Sequence, residues 1–176
     1  MDIEHLKFPI GKYKIPEVYS EQLINDWIQE TENYPALLKT TVNGITEQQL
    51  ETPYRPEGWT ARQVIHHIAD SHMNAYIRFK LSLTESNPII KPYMENKWAL
   101  LDDNAVDINV SLQITELIYK RWVPILRSMR MEGFDRTYIH PEHNKQFTLK
   151  YALGLYAWHS KHHLAHIKNC MSNKNN

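Results

Sequence analysis

Apolar residues recur along this chain three and four positions apart, in long runs separated by proline, glycine and helix-capping signals, and this spacing predicts amphipathic helices. An irregular arm with Pro9, Gly11 and Pro16 comes first. A helix from Ser20 to about Thr41 follows, with Leu23, Ile24, Trp27, Ile28, Leu37 and Leu38 inward and Pro35 expected to kink it. Thr46 and Gln49 have the spacing of a capping box on a short helical turn, which Pro53 and Pro56 close off. Thr60 and Gln63 repeat that spacing and open a second long helix, with Val64, Ile65, Ile68, Tyr76, Phe79 and Leu83 inward, ending before Asn87-Pro88. A proline-bearing loop runs from Pro88 to about Asp107. The third helix covers roughly Asn109 to Arg130, with Val110, Ile114, Leu117, Ile118, Ile125 and Met129 inward, a kink at Pro124 and Gly133 beyond its end. Thr137 to Phe147 reads as two short extended pieces around a turn, a small hairpin, and Thr148 then caps a last helix reaching about Met171. The expected fold is all-α: a four-helix bundle with one long crossover loop and a small hairpin, forming a single domain over residues 1–176.

Composition removes several function classes. The 20 basic residues balance 20 acidic ones, so no long-range field gathers phosphate or anionic lipid, and nucleic acid is not an expected partner. One cysteine, Cys170, excludes an intramolecular disulfide framework and fits a reducing compartment. Apolar runs stay well short of the roughly 18 residues of a membrane span, and Met1-Asp2-Ile3-Glu4 lacks the basic start of a signal peptide, so a soluble cytoplasmic protein is expected.

Candidate chemistry concentrates in the ten histidines, four of which fall within Trp158 to His166. Each helical residue turns about 100°. Relative to the stripe of Leu149, Leu153, Tyr156, Leu164 and Ile167, this puts His163 about 40° and His159 about 80° from its centre, with His166 and His162 at roughly 100° and 140°. His159 and His163 are thus best placed to look into the bundle, and His162 and His166 fall to the rim. On the second helix His67 borders the apolar stripe, His66 points away from it, and His72 falls near its middle, where a core histidine satisfied by a hydrogen bond is expected. Two imidazoles on one helix and a third on another match the protein share of an open catalytic metal site. The pair alone is equally compatible with histidines packed on aromatics such as Trp158, and Ser160 stands where a His-Glu-x-x-His motif would place glutamate.

Two segments carry a family resemblance. Gly58 through Asn74, with Trp59, His66-His67, Asp70 and His72, and Tyr156 through Ile167, with Trp158-His159 and His162-His163, resemble the signature segments of the DinB-like superfamily. The match is closest to its YfiT branch, which carries the label of metal-dependent hydrolase. Phe8-Pro9-Ile10-Gly11-Lys12 and Thr52-Pro53-Tyr54-Arg55-Pro56 are similar to that branch too. The resemblance implies a four-helix bundle, a homodimer, and one divalent ion per subunit, zinc or nickel, held by His67, His159 and His163 and completed by water.

Such an ion acidifies a bound water, giving a hydrolase acting on a small-molecule substrate, or a small thiol, giving a transferase of the kind the superfamily contains for bacillithiol. A non-catalytic metal-binding stress protein is the third possibility. Asp70 and Asn74 could orient ligands or substrate, or form an ordinary polar helix face. Arg62 and Arg78 could receive an anionic thiol cofactor, or be surface charges, and Cys170 lies off any motif and reads as structural.

Overall fold

Both capping boxes form, and they fix where two helices begin. The Thr46 side chain accepts from the Gln49 backbone N–H and the Thr60 side chain from that of Gln63, while each glutamine side chain accepts from its threonine's backbone N–H. The computed structural model describes residues 3–172. In chain order these form α1 (Glu4–Lys7), α2 (Glu21–Thr41), α3 (Glu47–Leu50), α4 (Ala61–Thr84), α5 (Glu95–Trp98), α6 (Ile108–Ser128), the strands β1 (Thr137–His140) and β2 (Lys145–Thr148), and α7 (Leu149–Ser172). Two 3₁₀ turns, Asp102–Ala105 and Met131–Asp135, complete the set. The arm expected to be irregular thus includes one helical turn, and the long crossover loop carries two further short turns. Pro35 and Pro124 both sit inside continuous helices. Thr148 caps α7 as expected, accepting from the Tyr151 N–H.

The long helices α2, α4, α6 and α7 form a four-helix bundle. Helix α4 packs between α6 and α7, and α2 packs between the same two from the opposite corner. Chain neighbours α2 and α4 therefore stand diagonally, as do α6 and α7, so more than one connection crosses the bundle. The antiparallel hairpin pairs Thr137 with Thr148 and His140 with Lys145. Ile139 also bridges Ile89, which ties the crossover loop to the hairpin. The core is continuous, from Ile24, Ile28 and Leu38 of α2 through Ile65, Ile68 and Phe79 of α4 and Trp122 of α6 to Leu149, Leu153 and Ile167 of α7.

Two of the expected inward faces are wrong in part. Leu37 is exposed, its place in α2 taken by Tyr34 and Thr31, and on α6 Val110, Ile114 and Leu117 face outward, Leu117 at 60% exposure. The buried face of α6 is Ile108, Ser111, Thr115, Tyr119, Trp122, Val123 and Leu126. Two of its polar members, Ser111 and Tyr119, answer buried histidines on α4. The Ser111 hydroxyl lies 2.7 Å from His66 Nδ1 and the Tyr119 hydroxyl 2.9 Å from His72 Nδ1. A helix that must satisfy buried imidazoles turns hydroxyls inward, so its apolar periodicity marks a neighbouring face.

Candidate metal centre

A tight loop before α4 sets the first side chain of the site. Gly58 N–H bonds to the Arg55 carbonyl, and a Cβ on Gly58 would lie 2.7 Å from Arg55 Cγ, so the turn requires glycine there. Glu57 adopts left-handed backbone at φ 57°, which costs a non-glycine residue on the order of 1 kcal/mol. The loop then closes on itself through Tyr54 N–H to the Trp59 carbonyl. It thereby lays Trp59 over His67, with ring centroids 4.7 Å apart, and parallel to His163 at 6.5 Å. Tyr54, at its other end, stacks on His166 at 3.8 Å.

His67 on α4 and His159 and His163 on α7 meet across the contact between the two helices. Their ligand nitrogens lie within 4.8 Å of one another. His159 Nε2 is 3.3 Å from His67 Nε2 and 3.0 Å from His163 Nε2. A tetrahedral zinc at about 2.0–2.1 Å from each nitrogen spaces its nitrogens about 3.3–3.4 Å apart, so the donor set fits such an ion with small adjustment. Protonation also fits. Burial pushes the His67 imidazole down to about 4, and burial with neighbouring imidazoles holds His159 and His163 well below the usual histidine range. Neutral rings with free lone pairs are what a cation needs.

The remaining sequence candidates fall into place less uniformly. His72 is fully buried, as expected of a core histidine, but its Nε2 also lies 3.4 Å from His159 Nδ1, directly behind the site. His66 is buried and not solvated, because α4 has neighbours on two sides: His67 faces α7 and His66 faces Ser111 of α6. His162 and His166 are buried as well, at 7% and 1% exposure, contrary to a rim position. A helical wheel holds no information about the N-terminal arm, which covers that face. Phe8 packs against His162, Trp158 stacks on it at 4.5 Å, and the Lys7 carbonyl sits 3.2 Å from His166 Nε2. Gly154 lets the arm come close, since a Cβ there would lie 2.5 Å from the Tyr13 hydroxyl and 2.6 Å from Trp27.

Ligand nitrogens of His162, His163 and His166 also lie within 4.8 Å of one another. His166 spends its Nε2 on the arm, which makes this a poorer donor set than the first. Burial, with Asp103 nearby, pushes the Asp70 carboxyl up to about 6, while the Asn74 side chain donates to the Asp70 backbone carbonyl. Neither residue has a hydrogen bond to the three histidines among the described residues. Arg62 is held by Glu47 and Glu51. Arg78 donates to the Tyr156 hydroxyl at 3.0 Å, one turn of α7 before His159. Cys170 is buried and its thiol is pushed up to about 11 by that burial, in keeping with a structural role.

Known proteins resemble this chain over most of its length. Residues 30–167 match the family model described as the DinB superfamily. The chain is 50% identical over 162 residues to a Bacillus cereus (strain ATCC 10987 / NRS 248) protein named "Putative metal-dependent hydrolase", covering 92% of this chain and 93% of that one. A Bacillus anthracis (strain A0248) protein of the same name is 49% identical over the same length. The solved structure of YfiT from Bacillus subtilis, described as a probable metal-dependent hydrolase with an unusual four-helix bundle topology, superposes with a TM-score of 0.91. It shares 49% identity, over 94% of this chain and 95% of that one.

Proposed function

The chain belongs to the DinB superfamily, and from that membership together with its three converging imidazoles we propose that it is a metal-dependent hydrolase of small molecules, with His67, His159 and His163 holding one zinc or nickel ion. The observation that carries the reading is the meeting of three neutral ring nitrogens, from two helices, within 4.8 Å. When bound, a divalent ion with three neutral ligands keeps its full charge, acidifies a water and polarises a substrate oxygen.

This chain's own residues prepare that chemistry. Burial keeps the imidazoles unprotonated at neutral pH, so their lone pairs are available without prior proton loss. Trp59 packs over His67 and beside His163, which restrains both rings and shields them from water. Three protein ligands leave positions open for water and substrate, which a closed structural site does not. Assembly as a homodimer belongs to the same proposal, and a second copy would cover the exposed Val110, Ile114 and Leu117 of α6.

The test is a screen of the zinc- and nickel-loaded protein against ester, amide and electrophile panels, with and without bacillithiol, each repeated after chelation. Water-only turnover that disappears on chelation is expected. Turnover confined to the thiol-containing wells, with a conjugated product by mass spectrometry, would replace hydrolysis by thiol transfer, and turnover that survives complete metal removal would overturn the metal centre.

A further inference from the structure

Behind the two α7 histidines of the candidate site lie two more histidines, and each of the resulting chains ends at a backbone carbonyl. A carbonyl can only accept a hydrogen bond, so it fixes the direction of every bond before it. His166 Nε2 faces the Lys7 carbonyl at 3.2 Å and must carry a proton to donate there. A neutral imidazole has one N–H, so His166 Nδ1 is bare. It faces His163 Nδ1 at 3.4 Å, which must then be the donor, and this leaves His163 Nε2 bare and directed at His159.

The second chain resolves the same way. Ser160 donates to the Tyr156 carbonyl at 2.8 Å, so its oxygen accepts from the Tyr119 hydroxyl at 3.4 Å. The Tyr119 oxygen in turn accepts from His72 Nδ1–H at 2.9 Å, and the bare His72 Nε2 accepts from His159 Nδ1–H at 3.4 Å. His159 Nε2 is then bare as well. Two chains with independent anchors therefore leave two lone pairs facing each other 3.0 Å apart, an arrangement that repels unless a cation lies between them.

We infer that His166 and His72 are positioning residues, which fix His163 and His159 as Nδ1–H tautomers and so hold both Nε2 lone pairs ready for the metal, with the Lys7 carbonyl of the N-terminal arm and the Ser160 hydroxyl as anchors. The inference rests on the proposed ligand set in naming the metal; the His163 tautomer follows from the Lys7 carbonyl, and that of His159 from Tyr119 giving its proton to Ser160 and not to His72. Ligating histidines ordinarily give their second N–H to a carboxylate, carbonyl or water. Here a neutral imidazole takes that place twice. Of the second group, His162, His163 and His166, His163 belongs to the first site and His166 stands behind it, so the cluster is not a separate metal site on this account.

Two measurements test this, and they fail separately from the ligand assignment. Long-range 1H–15N correlation spectra of the metal-free, 15N-histidine-labelled protein at neutral pH should show Nδ1–H for His72, His159 and His163, and Nε2–H for His166. A bare Nδ1 on His163 overturns the inference whether or not the protein binds zinc. Chelator competition on the intact chain then reads the metal. His166→Ala should weaken zinc binding by about 10–100-fold. His166→Asn, whose amide oxygen can accept from His163 Nδ1–H, should recover most of it. Equal affinity for wild type and His166→Ala, with unchanged helicity, would show His166 to be a packing residue only. Absence of zinc binding in wild type would overturn the ligand set while the tautomers still decide the relay.

Discussion

Helix α7 carries histidines on two faces, and both faces are buried for different reasons. His159 and His163 look across to His67 of α4, where three nitrogens converge. His162 and His166 lie under the N-terminal arm, Trp158 and Tyr54, where their rings stack and His166 bonds to a carbonyl. Burial and lowered basicity are common to both faces: His162 and His166 are pushed down to about 4, chiefly by burial, much as His67 is. The difference lies in what each nitrogen faces. A buried imidazole becomes a ligand when its lone pair meets other lone pairs, and a structural element when it meets a carbonyl or an aromatic face.

The largest expected effect comes from removing a ligand on the α4 side of this contrast. His67→Ala should weaken zinc binding by more than the roughly 100-fold that outer-layer changes reach, measured by chelator competition. Acidification should strike both faces together. Folded values of His67, His162 and His166 near 4, and of His72 near 3, lie below the ordinary 6.5, so the unfolded chain takes up protons first. Stability of the metal-free protein should therefore be level between about pH 7 and 8 and fall as pH drops from 6.5 toward 4, followed by denaturant titration. Asp70, raised to about 6, acts in the opposite sense over part of that range, but the depressed histidines outnumber it. Proton competition for the bound metal should set in only as pH approaches the folded His67 value near 4.

Smaller effects probe the supports. Gly154→Ala places a Cβ within 2.8 Å of the Tyr13 hydroxyl and of Trp27, so the arm must shift, costing about 1–3 kcal/mol in a denaturant melt. Thr60→Ala removes the cap that starts α4 two turns before His67 and should cost about 1 kcal/mol without altering metal stoichiometry.

Much of this was legible in the sequence, and the exceptions share a cause. The capping boxes, the hairpin, the bounds of the four long helices to within about two residues, and the inward direction of His159 and His163 all follow from local chemistry and helical angle. Errors arose where burial depends on segments far away in the chain. His162 and His166 looked peripheral because Phe8, Lys7 and Tyr54 cover them from outside the helix. His66 points away from the apolar stripe of α4, and nothing in that helix announces that Ser111 will face it. Leu117 looked buried because α6 reserves its inner face for Ser111, Thr115 and Tyr119. The role of His72 behind His159 had no signal beyond its central position on the stripe, since the pairing spans 87 residues.

One measurement separates the two faces of α7 most directly: zinc bound per chain, after loading and desalting, in His163→Ala and in His162→Ala, with helicity followed by circular dichroism. The account predicts that both variants stay helical, that His162→Ala retains close to one zinc per chain, and that His163→Ala retains essentially none. Equal zinc content in the two folded variants would contradict it.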